Sequence, residues 1–123
     1  MTFLDKYGPQ LLSILRIVAG LLFLEHGTMK LLHFPAPMPM PVVGILMVAG
    51  IIELAGGALI VLGLFSRIAA FIASGETAVA YWMFHAKQGF YPALNGGDAA
   101  ILFCFVFLYI AAAGPGPWAL NKR

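Results

Sequence analysis

Charge is what this chain has least of. Its 123 residues include seven basic and five acidic ones, a charged fraction of 10%. Soluble domains carry about 25%, so there is too little charge to cover a water-facing surface. The formal net charge of +2 is too small and too dispersed for a nucleic-acid partner, which excludes that class. Cysteine is almost as scarce. The single Cys104 excludes an internal disulfide, and without a CxxC or a Cys/His cluster there is no thiol relay or structural metal site to read. Cys104 lies in an apolar run and reads as a packing residue. Rossmann fingerprints, haem motifs and iron–sulfur cysteine sets are missing too, so the chain supplies no intrinsic cofactor.

What it has is apolar length: 62% of its residues are hydrophobic. A bilayer core needs about 20 apolar residues as helix, and four segments qualify, at about 9–32, 41–64, 66–86 and 97–113. The first, opening at Pro9, runs past the length of a signal-peptide core and has no small-residue cleavage site, so it reads as a permanent span. Only Gly63 to Arg67 separates the second and third spans, which forces a tight antiparallel hairpin. The other two connections are longer, and the proline-rich stretch from His33 to Pro41 excludes helix. Gly114-Pro-Gly-Pro117 stops the last span before Trp118, an interfacial anchor. The reading is all-α: one transmembrane domain over 1–123, an up-down four-helix bundle in the lipid bilayer. Lys6, Arg67, Lys122 and Arg123 fall on the side of the termini, against Lys30 and Lys87 on the other. Positive-inside bias therefore predicts N-in/C-in in a bacterial inner membrane.

Carboxylates inside spans are costly and mark functional sites by default. Glu25, Glu53, Glu76 and Asp98 supply one per span, and Arg16, His26 and Lys30 answer them on the first. Glu53 and Glu76 fall at similar mid-membrane depth, flanked at helical spacing by Ala49, Gly50, Gly56 and Gly57 and by Ala69, Ala73 and Ala80. Such small residues let helices approach, so both carboxyls are expected to face inward, facing each other or sharing Arg16 in a structural ion pair. Bland readings stand beside these. Asp98, after Asn95-Gly-Gly97, would simply cap the last helix, Lys30 would snorkel, and His33 and His85 would be loop residues. Glu25 lies about 180° from Arg16 on the helix and has no firm role.

Four motifs recur in order: His26-Gly27-x-x-Lys30-Leu31; Glu53-Leu-x-Gly56-Gly57, followed by Leu62-Gly-Leu-Phe-Ser-Arg67; Gly75-Glu76-x-Ala78-x-Ala80-Tyr81; and Asn95-Gly-Gly-Asp98. With the closing Ala-Ala-Ala-Gly-Pro-Gly-Pro-Trp118, they make the chain resemble the DoxX family from Leu15 to Trp118. Two departures are Asp98, where the family more often has Glu, and Glu25 beside the histidine. The resemblance implies a four-helix membrane bundle linked to redox chemistry. Relatives include the small membrane subunit of a thiosulfate:quinone oxidoreductase and a partner of superoxide dismutase and a sulfurtransferase.

The function expected on this basis is the membrane subunit of an oxidoreductase system, handling a quinone or another small apolar redox molecule with soluble or membrane redox partners. Its pocket would open on the periplasmic side and be lined by His26, Lys30, Glu53, Glu76, Tyr81 and Asp98. The loops would cover the ligand with Phe34, Phe90, Tyr91 and Gly96. A non-enzymatic scaffold or assembly factor is the alternative. Proton or small-solute transport is a third reading, and it would call for a homo-oligomer.

Overall fold

A computed structural model describes residues 2–123 and shows helices with no strand among the described residues. A short α1 (Thr2–Asp5) leads into α2 (Gly8–Leu32), whose first turn holds Pro9, where the missing N–H costs nothing. After the proline loop come α3 (Ile45–Leu62) and α4 (Ser66–Ala80). The α4 rod runs on through a π-helical turn at Tyr81–His85 and a 3-10 turn at Ala86–Gln88. A single turn, α5 (Pro92–Asn95), precedes α6 (Asp98–Ala113). Of these, α2 and α3 are long and apolar enough to cross a membrane, and α6 is apolar but shorter.

Local chemistry explains where the helices stop. The expected second span began at Pro41, but the helix starts only at Ile45, because Gly44 holds φ 60° and ψ −125°, outside the helical region. It ends at Gly63, φ 74°, the left-handed cap that glycine takes without strain. The hairpin residue Phe65 is also left-handed and is held by Asn121, whose Oδ1 accepts its N–H at 3.0 Å.

Glycines set the pairing of α2 with α3. A Cβ on Gly27 would stand 2.5 Å from the Leu54 nitrogen, and one on Gly57 would stand 2.8 Å from the Leu24 Cα. Gly20 meets Ile60 and Val61, and Gly50 meets Lys30. Partner numbers fall on one side as they rise on the other, so the two helices are antiparallel with backbones nearly touching. The second close pair is α4 with α6. Ser74 Oγ donates to the Cys104 carbonyl at 2.7 Å, and Arg67 Nη1 donates to the Ala112 carbonyl at 2.7 Å, an antiparallel register again. Packing of α3 on α4 is intermediate, and α2 on α6 is the loosest of the neighbouring pairs.

Burial is inverted relative to a water-soluble protein. Leu11, Leu15, Leu22, Ile51, Ile68, Phe71, Leu102 and Phe105 are exposed along the helices, while Ser13, Arg16, Glu53, Ser74, Thr77 and Asn95 are buried. Large exposed apolar faces mark contact with lipid or another apolar partner. Inside, polar groups form two layers. Between them lies an apolar layer in which the Phe23 and Phe107 rings meet edge-on at 5.0 Å, beside Ile60, Ala70 and Ala73.

Candidate functional site

The upper polar layer is built on the α2–α3 contact. Because Gly27 lets the backbones touch, Lys30, one turn further on, projects over α3 and its Nζ donates to Glu53 Oε1 at 2.7 Å. Both side chains are less than a tenth exposed. Lys30 is thus the partner of Glu53 and does not extend toward the headgroups. A buried ion pair needs its charges matched this closely to offset the loss of water.

Glu76 enters from α4. Its carboxyl lines the same cavity as Lys30 and Glu53, while its Oε2 is buried with no protein partner. One ammonium and two carboxyls are least charged as one ion pair plus one neutral acid, the natural outcome where like charges share a dry site. The group borders a cavity of about 190 Å³. Phe23, His26 and Lys30 from α2 line this cavity, with Glu53 from α3, Glu76, Thr77 and Ala80 from α4, His85 beyond it, and Gly96, Ala99, Ala100 and Phe103 around the start of α6.

His85 is the lining residue that sequence reasoning missed. Its place near the membrane surface makes it read as a loop residue, and nine residues at 100° each would put it opposite Glu76 on an ideal helix. The π turn at Tyr81–His85 winds more widely and resets that phase, so both side chains border one cavity; such turns are frequent at functional sites. No sequence signal distinguishes those five residues from ordinary helix. Above the cavity, Asn95, only 2% exposed, ties the cap together. Its Nδ2 donates to the Tyr81 hydroxyl at 3.2 Å and to the Gly89 carbonyl at 3.0 Å, and its Oδ1 accepts from the Gly97 N–H at 2.8 Å. Gly97 must lack a side chain, because a Cβ there would stand 2.5 Å from the Tyr81 ring.

Of the residues expected to line a pocket, the structure brings together His26, Lys30, Glu53 and Glu76. Tyr81 stands outside the lining because its hydroxyl is committed to Asn95. Asp98 is exposed in the first turn of α6, where its charge complements the helix dipole. Phe34, Phe90 and Tyr91 are exposed and cover nothing, while Gly96 does border the cavity.

The expected ion pair of Arg16 with Glu53 or Glu76 is overturned. Gly27 sits level with Leu54, and Arg16 lies eleven residues earlier on α2, about 16 Å further along the axis. Beneath the aromatic layer it is fully buried and donates to the carbonyls of Pro115 and Trp118. Ser13 completes this lower layer, donating to the Pro115 carbonyl and accepting from the Trp118 N–H at 3.0 Å. Glu25 is exposed, away from both layers. Among the described residues no cluster of His, Cys, Asp or Glu is arranged to hold a metal ion.

A family model described as DoxX matches residues 11–86, more than half of the chain. An uncharacterized protein of Haemophilus influenzae is 46% identical over 130 residues, covering 100% of this chain and 97% of that relative. An uncharacterized membrane protein of Mycobacterium tuberculosis is 24% identical over 138 residues, covering 98% of this chain and 85% of the relative. No solved structure matches it.

Proposed function

Because this chain belongs to the DoxX family of membrane proteins, we propose that it is the membrane subunit of an oxidoreductase system that binds a quinone or a similarly small apolar redox molecule. Its four long helices form an up-down bundle across a bacterial inner membrane. The N-in/C-in orientation gains support from the ion pair: with Lys30 neutralised by Glu53, Lys87 alone opposes Lys6, Arg67, Lys122 and Arg123 in the positive-inside count.

The observation that carries the chemistry is the Lys30–Glu53–Glu76 group beside a cavity. Reducing a quinone to a quinol takes two electrons and two protons. A protonated Glu76 carboxyl and the Lys30 ammonium would be the donors to the ring oxygens, and His85 and His26 border the same space. Electrons come from a partner redox protein, since the chain carries no electron carrier of its own. A cavity of about 190 Å³ is smaller than the roughly 300–1,000 Å³ of drug-sized sites, which suits a single ring. The Phe23–Phe107 layer interrupts the polar path below it, which favours one-sided binding over conduction.

Mass spectrometry of small molecules retained by the gently purified protein tests this reading. Wild type should retain a quinone. Glu76→Gln, which keeps the shape but replaces the acidic O–H with a weaker amide donor, should retain it about five-fold less, the weakening that about 1 kcal/mol in a neutral hydrogen bond implies. Full retention by Glu76→Gln, or no quinone in the wild type while partner proteins co-purify, would leave the chain as a scaffold.

A further inference from the structure

We infer that the ligand of this cavity enters from the lipid through the seam between α2 and α6, and that it is an amphiphile whose hydrocarbon chain stays in that seam. The inference rests on the reading that the cavity binds a small molecule, and it adds the route and the ligand class.

Three observations carry it. First, of the four pairs of neighbouring long helices α2 and α6 are packed most loosely, and the cavity lies along their contact, lined there by Gly96 just before α6 and by the small Ala99 and Ala100 within it. Second, an apolar groove of about 250 Å³ continues down the same seam between Leu15, Val18 and Leu22 on one side and Leu102 and Val106 on the other. Cavity and groove share Ala99 and Phe103, so they are neighbouring compartments of one opening. Third, His26 is exposed at the junction, its ring edge-on to Phe103 at 6.0 Å. A bare imidazole facing lipid is costly, and a polar head seated there would cover it. That head would also lie beside Lys30, Glu53 and Glu76, which line the same cavity.

Competing routes are less open. Asn95 and its hydrogen bonds to Tyr81 and Gly89 close the loop side. A second apolar hollow of about 230 Å³ between α3 and α4 adjoins the cavity through Glu76 and Ala80, so the Glu76 side chain stands in the passage. A compact hydrogen-bonding head with one hydrocarbon chain satisfies both compartments of the α2–α6 seam. The chain exchanges lipid neighbours for protein neighbours and gains little from the hydrophobic effect, so its groove sets orientation more than affinity.

The experiment uses the full chain in liposomes and two photoreactive probes, each with an alkyl chain ending in a diazirine, one headed by benzoquinone and one by plain phenyl. The quinone probe should label residues 15–22 and 102–106, unlabelled decyl-benzoquinone should compete, and the phenyl probe should label several-fold less. Ala99→Phe should cut the labelling at least ten-fold; Ala99 is exposed, so the larger side chain is tolerated in folding. Gly75→Leu in the α3–α4 hollow, where a Cβ meets nothing within 4 Å, should leave it unchanged. Equal, uncompeted labelling of the seam by both probes, still lost in Ala99→Phe, would support the seam and overturn the quinone reading. Competed labelling of 45–52 and 72–84, abolished by Gly75→Leu, would keep the quinone and overturn the seam. Labelling spread evenly over all helices would overturn it as well.

Discussion

Lys30 shows how one side chain fixes the chemistry of its surroundings. An isolated ammonium or carboxylate in hydrocarbon is expensive, and a pair at 2.7 Å offsets most of that cost. Removing one member is therefore worse than removing both. Lys30→Met should lower stability by about 3 to 5 kcal/mol, because Glu53 is left buried beside a second carboxyl. Adding Glu53→Leu should recover much of the loss. Thermal unfolding in detergent measures both, and a double variant as unstable as Lys30→Met would show that the pair is not what holds this region. Arg16 obeys the same rule with carbonyls as its partners. Arg16→Ala should release the Gly114–Trp118 segment, speeding proteolysis there several-fold, while quinone retention in the upper cavity stays unchanged. Faster cleavage together with lost retention would couple the two layers and contradict the separation drawn here.

At the scale of the helix, α2 and α3 are joined by missing side chains. A Cβ on Gly27 would collide with backbone, which cannot step aside as a flexible side chain does. Gly27→Ala should therefore push the helices apart. We expect a loss of about 1 to 3 kcal/mol, the usual range for overpacking, with weaker quinone retention as the Lys30–Glu53 pair is pulled open; retention at the wild-type level would show that the pair does not need this contact. The apolar runs behind α2, α3 and α6 were legible in the sequence, because length and composition determine them directly. So were the inward faces of Glu53 and Glu76, because small residues flank both at helical spacing. Which cation meets which carboxylate was not legible. Pairing depends on the register between helices, and a single helix's period says nothing about how far its neighbour has slid. Arg16 shares a face with Lys30 but not a depth. His85 escaped for a related reason: the phase of a helix carries forward only while its winding is constant, and the π turn changes it.

At the scale of the molecule, two polar layers stand at different depths with aromatic rings between them, and each is anchored differently. The lower layer is stitched to the C-terminal segment. Leu120 and Asn121 donate backbone hydrogen bonds to Leu62 and Gly63, and Arg67 donates one to the Arg123 carbonyl. The end carrying both termini is thus closed by backbone and held together beside Arg67 and Lys122, while the other end carries the cavity and its cap. The proposed N-in/C-in orientation would turn the closed, basic end to the cytoplasm and put the cavity in the periplasmic half. Single cysteines in a Cys104→Ala background test this placement. Cys104 packs beside Ser74 without an essential hydrogen bond of its own side chain, since Ser74 Oγ bonds the Cys104 backbone carbonyl, so the background should fold. Phe90, 86% exposed in the loop before α5, and Lys122, exposed in the C-terminal segment, are suitable sites. In intact spheroplasts a membrane-impermeant thiol reagent should label Phe90→Cys and should reach Lys122→Cys only after permeabilisation. The reverse pattern would turn the protein over. The Lys30–Glu53–Glu76 cavity would then lie in the cytoplasmic half, and the proposed redox partner would have to be sought on that side.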